Sequence, residues 1–296
     1  MGGVKATVGG VVKGRGVQRT PYETVSHGPR GIALVRESME IEVFAVELTG
    51  KELQALPKDD RVLLIQLAHL ANTIIVLQKW MIFCSNRSES GSIHAAAETT
   101  QQMLVMRILS GVLYEGWQML SQSYFGTQLS KKYHSRLSKE DQECLKTLKC
   151  YFRKKENPIK RVRNRFAFHF DRGAVESELK LVPPDARYHF YLSEFQGNSL
   201  YYLSEELVGL GMLRALEDIV DATDVSGILR CLFKDLVSIS STFARFIGAW
   251  LVLIVRDYLP GVTRDDLAPI HVPDVLPLDK IRIPFFVSKP EGDTLL

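Results

Sequence analysis

Between Lys58 and Phe83 the polar side chains come at regular intervals. Gln66, His69, Thr73 and Gln78 form a narrow stripe on an otherwise apolar stretch. Spacings of three to five residues are those of a helix with one wetted edge. Asp59 and Asp60 suit its first turn, where the helix dipole favours negative charge. A polar loop over 85–92 comes next. The same rhythm then resumes from about His94 to Tyr124, with Arg107, Ser110, Glu115, Gln118 and Ser121 among apolar bulk from Trp117, Met119 and Leu120. Two long, mostly apolar helices in succession predict an antiparallel pair in a bundle. Further helix starts are marked by caps. Thr49 and Glu52 have capping-box spacing, as do Ser138 and Asp141, and the second pair opens a helix to about Glu156. Asn157-Pro158 reads as a cap followed by proline at the first helical position.

Other stretches carry a different pattern. Over 31–48, Glu40, Glu42 and Glu47 interleave with Ile41, Val43 and Phe44, which fits a short strand or an irregular lead-in. Aromatic-rich runs over 188–192 and 199–203 flank Gln196-Gly197-Asn198, a β-hairpin pattern over about 187–203. A strongly hydrophobic helix is expected over about 225–258. From Pro260 onward lie six of the twelve prolines, so that tail cannot be a regular helix, and Ile281–Val287 is expected to lie against the body or a partner. Residues 1–30 hold seven glycines, five lysines or arginines and one acid, with little apolar surface to bury, and are expected to form a flexible basic leader. The organisation predicted is a leader (1–30), a helical domain (31–259) and a proline-rich tail (260–296). The fold class expected is mainly α, a helical bundle with a small inserted β-hairpin.

Composition narrows the class. The chain has 296 residues, 46% hydrophobic and 24% charged, as in a soluble globular protein. Leu236–Val255 tests that view, because its twenty residues hold one charge, Arg245. Ser238, Ser240, Ser241 and Thr242 dilute it, so a buried core helix is expected there and no membrane partner. The glycine-rich start lacks the apolar segment of a secretory signal. Cys84, Cys144, Cys150 and Cys231 form no CxxC pair and have no histidine at zinc-ligand spacing. Reduced thiols, a cytoplasmic location and no metal or other cofactor are therefore expected. No serine sits in a nucleophile-elbow pattern.

The chemistry concentrates in 149–171. Eight lysines or arginines and one acid, Glu156, give Lys149–Arg165 a local net charge of +7, although the whole chain carries only +3. Such a run attracts a phosphate backbone. Lys154, Lys155, Lys160, Arg161 and Arg165 are the candidate RNA-binding residues. The shape of the segment has two readings. Val162, Phe166, Phe168 and Phe170 alternate with charged or polar neighbours, the period of a strand. The Asn157-Pro158 start argues for a helix, on which Arg161, Arg165 and His169 would form one stripe. Glu156 and Asp171 are close enough in sequence to pair with these arginines, and Glu115 is placed to pair with Arg107 or with them across the bundle. The aromatics of 188–202 would either pack on helices or stack bases.

The sequence Arg163-Asn-Arg-Phe-Ala-Phe-His169 resembles the signature of the HEPN superfamily: an arginine, a polar residue after it, and a histidine four to six residues beyond. The two long helices that precede it fit the same layout, so the resemblance covers about 58–172. It implies a helical bundle that dimerises with the motifs facing each other. Many members are metal-independent ribonucleases, often toxins or antiphage effectors, and others are inactive binding partners. Carried onto this chain, the resemblance assigns Arg163, His169 and Asn164 as catalytic residues. The partners it implies are RNA, a second copy of the chain, and an antitoxin or co-effector protein. A histidine can act as base or acid near neutrality, and arginine offers a fixed cation to phosphate oxygens. One chain supplies one motif histidine, so a complete acid–base pair calls for a second group or a second subunit. On an ideal helix Arg163 lies about 120° from His169, which leaves Arg161 and Arg165 as geometric competitors for the place beside it. The alternative reading is a non-catalytic helical module that binds RNA or protein.

Overall fold

The structure, a computed structural model, describes residues 39–85, 88–168, 171–222, 224–259 and 267–288. The expected leader, His169, Phe170 and both ends of the tail lie outside these residues.

The fold is mainly α. Nine α-helices occur among the described residues: α1 (Gly50–Ala55), α2 (Lys58–Phe83), α3 (Ile93–Ser123), α4 (Gln128–Tyr133), α5 (Lys139–Phe152), α6 (Pro158–Val162), α7 (Arg172–Leu181), α8 (Tyr202–Arg214) and α9 (Val225–Tyr258). The expected caps are in place. Thr49 and Glu52 hydrogen-bond reciprocally at the start of α1. Ser138 Oγ accepts from the Asp141 backbone N–H at 3.1 Å, and Asn157 Oδ1 accepts from that of Lys160 at 2.9 Å. Each satisfies a backbone donor that a helix start leaves without a partner.

The core keeps to the 3.6-residue period. Leu63, Leu67, Leu70, Ile74, Leu77 and Met81 are the buried stripe of α2. Met106, Leu109, Leu113, Trp117 and Leu120 are that of α3. The short connection 84–92 and contact along their lengths make these two helices an antiparallel pair. Helix α9 packs on α2, α3, α5, α6 and α8. It buries Ile228, Leu232, Leu236, Ile239, Phe243, Phe246, Trp250 and Leu253, at steps of three and four. By length and apolar composition α2 and α9 each pass as a membrane span; in this fold both give a buried face to one common core.

A two-stranded antiparallel sheet joins the ends of the described chain. Strand β1 (Met39–Phe44) pairs with β2 (Pro269–Val275), with Ile41 opposite Val272 and Val43 opposite Ile270. The alternating 39–44 stretch is thus a strand, and its partner comes from the proline-rich tail. Farther along that tail, Phe285 and Phe286 pack on Ala96, Ala97 and Leu200. Asn198 fixes them by exchanging hydrogen bonds with the Val287 backbone, 2.8 and 2.9 Å. The aromatic reversal over 187–203 is narrower than expected. Tyr191 and Leu200 form a single bridge around a turn at Gln196–Asn198, and helix α8 already begins at Tyr202.

Candidate functional site

The 157–168 segment is helical, not extended. Asn157 caps α6, Pro158 opens it, and a π-helical turn over Arg163–Ala167 continues it. Ile159, Val162 and Phe166 are buried, and their spacing of three and four lays this face against α3. The period-two reading fails because the phenylalanines do not share a surface: Phe166 is 4% exposed and Phe168 is 62% exposed. The Phe168 ring lies over Gly111 of α3, where an added Cβ would stand 2.6 Å from ring carbon Cε2. Glycine at 111 is what lets the end of the π turn lie that close.

Arg163 is held by α3. Its Nε and Nη2 donate to Glu115 Oε1 at 3.0 and 2.5 Å. Its guanidinium carbon lies 5.3 Å from the centre of the Tyr114 ring, within cation–π range. Nη1 donates to Asn164 Oδ1 at 3.1 Å, so two of the three motif residues touch. The third, His169, lies outside the described residues.

The stripe expected from Arg161 and Arg165 does not form, because each arginine is drawn to a different element. Arg161 pairs with Asp218, donates to the Ala215 carbonyl at 2.9 Å, and lies 3.3 Å from Glu156. Arg165 pairs with Asp171, whose other oxygen accepts from the Ala174 N–H at 3.0 Å and caps α7. The Arg165 hydrogen bond, helped by this cap, holds the Asp171 carboxyl below the usual carboxylate range. A π turn adds one residue per turn and rotates the side chains beyond it, and so two arginines four apart come to face different partners.

The expected RNA-binding lysines are wetter. Lys154 and Lys155 are exposed, and Lys154 Nζ lies 5.9 Å from the centre of the Tyr151 ring. Lys160 Nζ donates to the Lys155 carbonyl at 2.7 Å. A cavity of about 280 Å³ adjoins them, lined by Lys154 but also by Glu156, Asp221 and Asp235. Tyr151 donates to Asp235 there at 2.6 Å, and burial pushes its phenol well up. That acidic lining repels phosphate.

Two residues, one at the site and one in the core, play parts that sequence patterns conceal. Tyr114 stands beside Glu115 and reads as ordinary helix bulk, yet its ring takes the Arg163 cation. Asp60, taken as a first-turn acid, is 4% exposed. It accepts from Lys132 Nζ at 2.8 Å and from Tyr133 and Tyr258, and so ties together α2, α4 and the end of α9. The polar groups that the described fold brings together at the motif are therefore Arg163, Asn164 and Glu115, backed by Tyr114. Compared with known proteins, the chain matches no family model, no curated protein and no solved structure.

Proposed function

We propose that the chain is a HEPN-type endoribonuclease that cleaves RNA without a metal ion, acts in the cytoplasm as a homodimer, and serves as a toxin or antiphage effector. What supports this reading is the contact between Arg163 and Asn164 on a helical turn, at the end of a strongly basic segment. In the proposed mechanism the 2′-hydroxyl attacks the adjacent phosphorus and the 5′-oxygen leaves. His169 takes the 2′ proton, and His169 of a second copy protonates the leaving oxygen. Arg163 carries the charge that builds on the phosphorane, and Asn164 holds the Arg163 fork in orientation.

Glu115 acts as the resting counter-ion of Arg163 in this scheme. A substrate phosphate competes with it for the guanidinium. The deciding experiment is RNA cleavage in EDTA by the wild type beside His169→Ala and Arg163→Ala. Loss of cleavage in both variants is expected; equal cleavage by all three sinks the reading.

One observation favours a second reading, a non-catalytic module for RNA or a protein partner. Arg161, Arg163 and Arg165 are each engaged by a carboxylate, as in a segment whose charge serves the fold. Salt-sensitive RNA binding that survives His169→Ala, with no cleavage by the wild type, selects it.

A further inference from the structure

A groove of about 550 Å³ opens where the turn after α3 meets α4 and α5. Pockets of roughly 300–1,000 Å³ hold ligands of nucleotide size. One wall carries the half-buried Phe125 ring, with Tyr124 buried behind it against Phe246 of α9. The rim is basic: Lys131 comes from α4, Lys139, Lys146 and Lys149 come from α5, and His134 comes from between the two helices. A single acid, Glu143, faces them, and Lys146 Nζ lies 3.2 Å from its carboxylate. Lys149 Nζ sits 5.4 Å from the centre of the Phe125 ring, so cation and aromatic face are presented together.

A second observation does not depend on charge. Tyr124 is fully buried, and its hydroxyl has no hydrogen-bond partner among the described residues. Buried hydroxyls are nearly always paired, and this one belongs to a residue of the groove wall. Continuity supplies a third. Lys146 and Lys149 on α5 and Arg153 at its C-cap succeed one another at steps of three and four. Lys154 and Lys155 come next. In the sequence the basic rim thus continues into the strongly basic Lys149–Arg165 run.

We propose that this groove seats one nucleotide of a single-stranded RNA, with its phosphate on Lys146 and Lys149 and its base against Phe125. The inference takes the identity of the strand from the RNA reading above; the groove itself does not depend on the chemistry of Arg163. Stacking on an aromatic ring beside a cationic rim is a recurrent way of holding single strands without base-specific contacts.

The test is binding of a labelled, uncleavable 2′-O-methyl oligouridylate to the full chain, monitored by anisotropy over a range of salt. Lys146→Gln/Lys149→Gln is compared with Lys51→Gln/Lys180→Gln, which removes two exposed lysines of α1 and α7. The groove variant is expected to bind roughly tenfold more weakly, with the slope of log affinity on log salt shallower by about 1.4, and the control to bind as the wild type does. Phe125→Leu is expected to weaken binding several-fold with the salt slope unchanged, because it removes stacking and no charge. Equal losses in the two lysine variants, or no loss in either, overturn the proposal. Its failure separates cleanly from failure of the nuclease reading. Groove-dependent binding without cleavage by the wild type removes the nuclease and keeps the groove; His169-dependent cleavage with an unaffected groove variant does the reverse.

Discussion

Glu115 is the carboxylate that holds Arg163 on α3. The pair is partly exposed on both sides, 32% and 54%, and ion pairs in such settings contribute about 0.2–1 kcal/mol to stability. Glu115→Ala is therefore expected to lower the denaturation midpoint only slightly. Under the nuclease reading it removes a competitor of the phosphate but also releases the Arg163 fork from α3, and the loss of positioning outweighs the gain, so cleavage is expected to fall although the fold is kept. Parallel melting and cleavage assays check this, and an unchanged rate removes Glu115 from the site. Gly111 gives a second handle on the same turn. Alanine in a helix interior is ordinarily favoured over glycine by about 0.8–1 kcal/mol. Here its methyl group would meet the Phe168 ring at 2.6 Å, and that ring is exposed enough to swing away. Gly111→Ala should keep the fold, displace the end of the π turn and depress cleavage. The double variant Gly111→Ala/Phe168→Ala should recover part of that loss, because the clash has gone. Asp171 gives a pH signature. Its carboxyl is lowered in the folded chain by the hydrogen bond from Arg165. The pair's stabilisation is thus complete above the ordinary carboxylate value of about 3.9 and is lost as pH falls through the lower folded value. Asp171→Asn keeps a capping oxygen for α7 while removing the charge. It should be less stable than the wild type by about 0.2–1 kcal/mol at neutral pH, with the difference vanishing in acid; a difference that persists there assigns the effect to packing.

At the scale of elements, the legible parts of the chain are those that bury one face. Helices α2, α3, α5 and α9 carry steps of three and four in their apolar residues, and the caps Thr49, Ser138 and Asn157 mark the starts of α1, α5 and α6. The turn that bears the motif is harder to read, because two periods overlap in it. Ile159, Val162 and Phe166 keep the helical step, while Phe166, Phe168 and Phe170 alternate as in a strand. Contact with Gly111, a residue some fifty positions away in the chain, is what the alternation could not express. The same holds for β1, whose alternation is visible but whose partner, β2, is brought to it only by the whole fold. In the 187–203 reversal, aromatic content argues for strands, yet the second run enters α8 after one bridge. Helix α9 carries the central share of the core, so truncation there should be severe. Phe243 is fully buried between α9 and its neighbours, and Phe243→Ala is expected to cost about 3–5 kcal/mol in chemical denaturation. A loss below about 1 kcal/mol, far under the usual range for a core phenylalanine, would mean that α9 does not organise the bundle.

For the whole molecule, the net charge of +3 hides how charge is spent. Arg161, Arg163 and Arg165 face carboxylates from the 215–218 turn, α3 and the α7 cap, whereas the lysines of 131–155 other than Lys132, which pairs with Asp60, line a groove or stand in solvent. Arginine, with its planar fork, serves bidentate and buried partners, whereas lysine is a compact, strongly hydrated point charge. The nuclease reading adds a requirement that the motif of one chain does not meet by itself, since it contains one histidine and the reaction needs both a base and an acid. If two copies of His169 share one site, an inactive subunit must poison its partner. Mixing wild type with a large excess of His169→Ala, after subunits have exchanged, leaves nearly every wild-type chain in a mixed dimer. At a roughly ninefold excess, cleavage per wild-type chain should fall about tenfold, in proportion to the surviving wild-type pairs. Self-sufficient chains would instead keep their full rate at any excess. Mixed dimers that each retain one working site would give this same full rate, because a second acid–base group within the chain leaves one site for every wild-type chain.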